Sequence, residues 1–173
     1  MTNVMARRFL PATDTWRSAI ENNSQMRYGF ITEPNAGNEV YVRNEVRRDG
    51  ITNELCVFSK PREMGSLVTS ALALEEAKEL FGICGTRKLK LTRHHIQADE
   101  LNVLVEEFGD NLSPLTIIQV EMLTRNNTET FPAWIGEEIT GQADYNYANL
   151  ASYGLPGHFY AWSRTRHGLK VAS

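Results

Sequence analysis

The segment from residue 39 to residue 60 constrains the fold most, because residues 39–48 alternate in polarity and a turn signal and a second strand-like run follow them. Its valines fall on one face of a strand and the charged Arg43 and Glu45 fall on the other, since side chains along a strand alternate between its faces. The dipeptide Asp49-Gly50 is a strong hairpin signal, and the apolar run after it is typical of a returning strand. We therefore predict an antiparallel hairpin with one apolar and one charged face.

The same signals extend along the chain and predict about seven strands and three or four helices. The predicted strands cover residues 4–10, 26–32, 39–48, 54–60, 87–96, 101–108 and 115–123. The predicted helices cover residues 15–22, 69–82, 131–140 and 144–154. Strands with one charged face fit either a sheet with that face in water or a closed barrel with a charged interior. Periodicity alone does not choose between the two.

Composition limits the function classes. A length of 173 residues predicts a single domain over 1–173, and a net charge of −3 argues against a nucleic-acid coat or a membrane surface. An anion site must then come from local clusters of Lys and Arg. Cys56 and Cys84 lie in apolar runs and are interpreted as buried free thiols. Without an apolar run long enough for a membrane span or a signal peptide, the expected location is the cytoplasm.

Two stretches, 4–10 and 115–151, resemble the CYTH or triphosphate-tunnel family. The first, VMARRFL, takes the place of the family's opening Glu-x-Glu-x-Lys-Phe-Leu, and Gln119 and Glu121 take the place of a later Glu-x-Glu. After these comes a run in the family's spacing, formed by Pro132, Trp134, Gly136, Glu138, Thr140, Tyr145, Asn149, Leu150 and Ala151. The resemblance implies an α+β fold, an antiparallel eight-stranded β tunnel with a few flanking helices.

The family includes inorganic and thiamine triphosphatases, relatives of RNA triphosphatases and one class of adenylate cyclase. Its inward cations cradle a triphosphate, because a low-dielectric tunnel must neutralise several negative charges. The resemblance implies phosphate-binding cations at Arg8, Arg43, Lys60 and Arg93. It also places Tyr41 where the family has an arginine, so Tyr41 is a candidate to stack on a nucleobase. Lys88 and Lys90 are substitutes if the strand register slips.

The family's metal-binding carboxylates are poorly kept. Val4 and Ala6 stand at the two opening glutamates, and Gln119 replaces one of the later pair. The resemblance leaves Glu106 and Glu121 as metal ligands, and Glu45 shares a strand face with Arg43 and offers a third. One or two carboxylates with water and phosphate oxygens can hold Mg²⁺ or Mn²⁺, so we expect a weakly held ion.

Three hypotheses follow. The leading one is a tunnel protein that binds a phosphorylated small molecule, a nucleotide or polyphosphate, with weak catalysis or none, because cations persist where carboxylates are lost. The second is a metal-dependent triphosphatase. The third is an interaction scaffold with a vestigial tunnel, in which the aromatic, basic tail over 155–173 is a partner or homodimer surface. Taken one at a time, each arginine also fits a merely solvated strand face.

Overall fold

The fold is described from a computed structural model, which describes residues 5–59, 66–122 and 130–159. Within these ranges one antiparallel sheet has nine strands. The strands are β1 Met5–Pro11, β2 Asn22–Phe30, β3 Asn38–Arg47, β4 Gly50–Ser59, β5 Ser66–Ala71, β6 Lys88–Ala98, β7 Leu101–Phe108, β8 Thr116–Met122 and β9 Ile135–Glu138. The α-helices are α1 Leu74–Ile83 and α2 Tyr147–Tyr153, and short 3-10 turns cover Thr15–Ala19, Asp110–Leu112 and Ala143–Tyr145.

The strands follow the order β5-β4-β3-β2-β6-β7-β8-β1-β9. The prediction of a closed eight-stranded tunnel is therefore corrected. There are nine strands, and in the part of the chain that the structure describes β5 and β9 end the sheet without pairing with each other. The antiparallel arrangement and the flanking helices are as predicted.

The sheet is nevertheless strongly curled. The ring of Tyr147 lies 5.3 Å from the ring of Tyr28 on β2 and 5.1 Å from the guanidinium of Arg8 on β1. Three strands lie between β2 and β1, so the two are four inter-strand spacings apart. In a flat sheet, with about 4.8 Å for each spacing, that distance is roughly 19 Å. The curl gives the sheet an inner face, defined here as the face that carries Arg8, Arg43, Arg93 and Glu106, and an outer face opposite.

The predicted hairpin is formed by β3 and β4. Arg47 pairs with Gly50, so the loop residues are Arg48 and Asp49, one position earlier than the Asp-Gly signal suggests. This register places Arg43 directly opposite Glu54. The hairpin thus sets a cross-strand charge pair on the inner face.

Two apolar clusters cover parts of the outer face, and a third and larger one, which includes Leu89, Leu91 and Ile117, lies on the inner face. On the outer face, Trp16 and Ile118 are fully buried in one cluster, and α1 packs Ala77 and Cys84 against Val42 of β3 in another. The predicted helix over 69–82 begins later, at Leu74, because residues up to Ala71 pair with β4 as an edge strand.

The helix predicted over 131–140 is wrong, because this segment contains β9, which pairs with β1. Gly136 explains the close approach: a Cβ there would lie 2.7 Å from the Leu10 carbonyl oxygen. The helix predicted over 144–154 is present as a 3-10 turn followed by α2. The predicted helix over 15–22 is a single 3-10 turn, and residues 160–173 of the tail lie outside the described ranges.

Among the residues that the structure describes, none of the helices combines the length and apolar character that a membrane span requires.

Candidate functional site

The inner face brings together six predicted side chains from five strands. Strand alternation and register place three predicted cations and three predicted carboxylates on this face. They are Arg8 of β1, Arg43 and Glu45 of β3, Arg93 of β6, Glu106 of β7 and Glu121 of β8. The sequence pattern therefore grouped these residues on one surface, although it did not show how they pair.

Glu106 is fully buried and forms the centre of a hydrogen-bond network. One of its oxygens accepts from Arg93 Nε at 2.9 Å and Nη2 at 2.6 Å. The other accepts from Gln119 Nε2 at 2.9 Å and from the Tyr147 hydroxyl. Burial alone would lower the pKa of Arg93, but the Glu106 carboxylate outweighs it and holds that pKa above its ordinary value.

Two more arginines of the inner face are paired with carboxylates. Arg43 donates from Nε at 3.0 Å and from Nη2 to one oxygen of Glu54. Arg47 donates to both oxygens of Glu45, at 2.8 Å and 3.0 Å. Burial opposes ionisation of Glu45, yet the hydrogen bonds from Arg47 and from Ser24 leave its pKa below the ordinary value. Sequence reasoning missed Glu54, although the hairpin register contained the signal for it.

Arg8 differs from these arginines because no carboxylate of the described ranges pairs with it. Its Nη1 donates to the Tyr145 carbonyl oxygen at 3.0 Å, and its guanidinium lies 5.1 Å from the centre of the Tyr147 ring. Its Nε and Nη2 are both shielded from solvent and have no hydrogen-bond partner among the described residues. These two nitrogens form one edge of the guanidinium, the edge that binds an oxyanion through two parallel hydrogen bonds.

Aromatic side chains fill one end of the inner face. Tyr147 of α2 packs edge-on against Tyr28 at 5.3 Å and Phe108 at 5.7 Å between ring centres. Tyr41 packs against Tyr28 at 6.0 Å and Phe30 at 5.6 Å. Burial raises the pKa of Tyr41 and of Tyr28, the latter to about 12, so both hydroxyls stay neutral at physiological pH. Tyr41 is therefore part of an aromatic core cluster, and its stacking on a base stays a prediction.

Other predicted residues lie away from this network. Lys88 and Lys90 are exposed and alternate with the buried Leu89 and Leu91, so they lie on the opposite face of β6 from Arg93. Lys90 pairs instead with Asp110 at 2.8 Å. Lys60 lies outside the described residues. The structure thus does not bring Lys88 and Lys90 to the cations of the inner face.

The two adjacent histidines lie on opposite faces of β6, as the alternation predicts. His94 is buried on the outer face and its Nε2 lies 2.7 Å from a Glu107 oxygen. Burial and the nearby Arg93 and Arg47 lower the pKa of His95 below its ordinary value, so it adds no charge to the inner face near neutral pH.

The predicted carboxylates do not form a ready metal site in this arrangement. Both oxygens of Glu106 and both of Glu45 already accept hydrogen bonds, which leaves Glu121 as the predicted ligand without a described hydrogen-bond partner. Residues 5–59, 66–122 and 130–159 contain no group of three or more His, Cys, Asp or Glu side chains placed to hold a metal ion. A hard divalent cation needs several free oxygen ligands, so the donors present do not fit Mg²⁺ well.

Comparison with known proteins bears on the fold. No protein-family model matches the chain, and no curated protein matches its sequence. The crystal structure of the inorganic triphosphatase NE1496 is similar with a TM-score of 0.67 at 23% identity, over 87% of this chain and 95% of that one. The PH1819 protein from Pyrococcus horikoshii OT3 is similar with a TM-score of 0.54 at 10% identity, over 72% and 80% of the two chains.

A putative adenylate cyclase from Bacillus halodurans is similar with a TM-score of 0.51 at 10% identity, over 98% of this chain and 92% of that one. The chain therefore has a CYTH-like fold, which confirms at the level of the fold the resemblance seen in residues 4–10 and 115–151.

Proposed function

We propose that this protein binds a phosphorylated small molecule on the inner face of its sheet and hydrolyses it weakly or not at all. The observation that carries the proposal is the guanidinium of Arg8, whose Nε and Nη2 are buried without a partner. A buried donor without a partner costs free energy, and more so in a charged group, because water no longer solvates it. An oxyanion restores both hydrogen bonds and the counter-charge in one step.

The chemistry of Arg8 favours phosphate over a neutral ligand. The Nε–Nη2 edge matches the spacing of two oxygens on one phosphoryl group, and Arg8 keeps its charge at any physiological pH. The Tyr145 carbonyl and the Tyr147 ring hold the guanidinium from its other sides, so the donor edge is positioned before a ligand arrives. Such preorganisation reduces the entropy lost on binding.

We expect weak hydrolysis because two of the three carboxylates predicted to hold a metal ion are already paired with arginines. Phosphoryl transfer needs cations positioned around the transferred group, usually metal ions held by carboxylates. Glu106 and Glu45 are engaged by Arg93 and Arg47, and Gln119 stands where the resembled family has a second glutamate. We therefore expect anion binding to persist without a metal, whereas turnover is slow or absent.

A metal-dependent triphosphatase is the second candidate. It is supported by the likeness to the inorganic triphosphatase NE1496 and by Glu121, a carboxylate on the same face one strand away from Arg8. A Mg²⁺ or Mn²⁺ ion there would be held by Glu121 and by ligand oxygens. This candidate requires phosphate release that depends on the added metal.

Calorimetric titration separates these candidates. Inorganic phosphate, tripolyphosphate and ATP are titrated in turn into the full chain, first with Mg²⁺ and then with EDTA, and released phosphate is measured in parallel. Binding in EDTA without phosphate release supports the proposal, and phosphate release only with Mg²⁺ supports the triphosphatase. Absence of binding by all three contradicts both and leaves the scaffold hypothesis.

Arg8→Gln is the decisive variant. It removes the charge and the donor edge, so we expect at least about a tenfold loss of affinity for the anion that binds, because a charge-assisted pair is worth about 1.5–3 kcal/mol. The matched control is Arg27→Gln, which removes an exposed arginine from the outer face of β2. Equal affinity of the two variants would rule out Arg8 as the binding residue.

A further inference from the structure

We infer that the ligand carries one phosphoryl group, as inorganic phosphate or a phosphate monoester does, and that a triphosphate chain gains nothing at this site. The inference rests on the proposed function and narrows its ligand class. It comes from the way the arginines of the inner face are paired. Arg8 offers unused donors, whereas Arg43, Arg47 and Arg93 each donate to a glutamate of this same protein.

These ion pairs withhold the cations that a longer phosphate chain needs. For Arg93 to turn toward a ligand, it must leave Glu106, whose carboxylate is fully buried. Glu106 would then keep two neutral donors, Gln119 and Tyr147, but no counter-charge. An uncompensated buried carboxylate is strongly unfavourable, so Arg93 stays with Glu106 when a ligand binds.

The charges left on the inner face oppose a second and a third phosphate. Glu121 lies on β8 beside Arg8 of β1, since Ala6 pairs with Glu121 and Arg8 with Gln119. The Glu121 carboxylate therefore lies near Arg8, at the end of the inner face away from Phe108. There it repels a ligand with several negative charges. His95, which faces the same region, does not offset this charge, because it is neutral near pH 7.

Packing also limits the length of the ligand. The aromatic rings of Tyr147, Tyr28 and Phe108 stack at the other end of the inner face, next to the guanidinium of Arg8. A phosphate chain cannot pass between these rings, so it reaches Arg43, which lies opposite Tyr28 on β3, only by running past them. One phosphoryl group at Arg8 satisfies its two partnerless nitrogens once the atoms that shield them from solvent move aside, and no ion pair has to break.

The first test compares ligands of increasing charge on the wild-type chain in EDTA at pH 7.5. Inorganic phosphate, glycerol 2-phosphate, pyrophosphate and tripolyphosphate are titrated separately by calorimetry. We expect dissociation constants that agree within about threefold for all four, because Arg8 is the inner-face arginine that has no glutamate partner among the described residues. Tripolyphosphate binding more than about tenfold tighter than phosphate overturns the inference and leaves the proposed function intact. No binding by any of the four contradicts the proposed function itself.

The second test releases one withheld cation. Glu54→Gln removes the carboxylate that holds Arg43, and both side chains are about a quarter exposed, so the chain is expected to remain folded. We expect tripolyphosphate to bind about tenfold tighter than to the wild type, with phosphate changed by less than about threefold. The control is Glu33→Gln, which frees Arg87 from a similar pair away from the network. An unchanged tripolyphosphate-to-phosphate ratio in Glu54→Gln overturns the inference.

Discussion

The two faces of one sheet are built from alternate residues of the same strands, yet they are stabilised differently. On β8, Ile118 and Val120 face outward and pack with Trp16 in an apolar cluster. Gln119, between them, faces inward and donates to the buried Glu106. Both faces gain stability from removing apolar surface from water, and the larger apolar cluster, which includes Leu89, Leu91 and Ile117, lies on the inner face. The inner face also holds buried charges, which are tolerated only while each keeps its partner.

The difference shows what each face is suited to do. Apolar packing makes the outer face a support that tolerates small changes of shape at moderate cost. The paired charges of the inner face cost desolvation and give little net stability. Arg8, a cation left partly unpaired on that face, is the residue for which a ligand supplies the missing partner.

The largest effect on stability is expected when one buried charge of the inner face is removed. Glu106→Ala leaves Arg93, whose side chain is only 15% exposed, without a counter-ion. We expect the free energy of unfolding to fall by about 3–5 kcal/mol, measured by urea denaturation.

A double variant provides the control. Arg93→Met with Glu106→Leu removes both charges and puts apolar side chains in their place. Replacing a whole buried pair is often close to neutral, so the double variant should recover most of the lost stability. A double variant no more stable than Glu106→Ala would show that packing around Glu106, and not the unpaired charge, accounts for the loss.

Two adjacent residues of β8 allow the apolar packing of the two faces to be compared. Ile117 faces inward and Ile118 faces outward, and both are fully buried. Either Ile→Ala substitution should lower the free energy of unfolding by about 2–5 kcal/mol, because each leaves a cavity. If the loss in free energy of unfolding lies outside that range for one variant only, one face relaxes around its cavity and the other does not.

Acid should weaken an ion pair on the outer face. Burial would raise the pKa of Glu107, but hydrogen bonds from Arg17 and His94 outweigh it and leave that pKa below its ordinary value of 4.5. A carboxyl with a depressed folded pKa stabilises the fold above its unfolded pKa, and the contribution is lost as the pH falls through the folded value.

The free energy of unfolding should therefore decrease below about pH 4.5, and less so in Glu107→Gln than in the wild type. Unfolding followed by circular dichroism between pH 7 and pH 3 checks this. Parallel pH curves for the two proteins would contradict the assignment of the effect to Glu107.

The smallest effect on stability is expected at Glu54. Its pair with Arg43 is about a quarter exposed, and pairs screened by solvent contribute little. Glu54→Gln should change the free energy of unfolding by less than about 1 kcal/mol. A thermal melt within a few degrees of the wild type confirms this and makes the binding effect of the variant interpretable.

Much of the fold could be predicted from sequence because strand alternation is a local signal. It separated Ile117, Gln119 and Glu121 from Ile118 and Val120, and it placed His94 and His95 on opposite faces, as the structure has them. The edge strand β5 was missed because its six residues are all exposed and lack alternation. The helix predicted over 131–140 failed because the close approach of Gly136 to β1 is a tertiary contact.

The site was harder to predict than the fold. Alternation tells which face Arg43 occupies but not which residue it meets, and only the hairpin register supplies Glu54. The role of Tyr147 depends on α2 folding back against β2 and β7, a contact between distant parts of the chain. The partnerless nitrogens of Arg8 are a property of the whole network, which a residue-by-residue comparison does not contain.

The aromatic cluster at one end of the inner face affects how a ligand can enter and leave. With Tyr147, Tyr28 and Phe108 stacked there, the curled sheet resembles a cup and not a passage. Among the described residues these rings close that end, so we expect a small molecule bound at Arg8 to enter and leave by the opposite rim. Binding and release then share one route, so anything seated over that rim would trap the ligand and exclude newcomers alike.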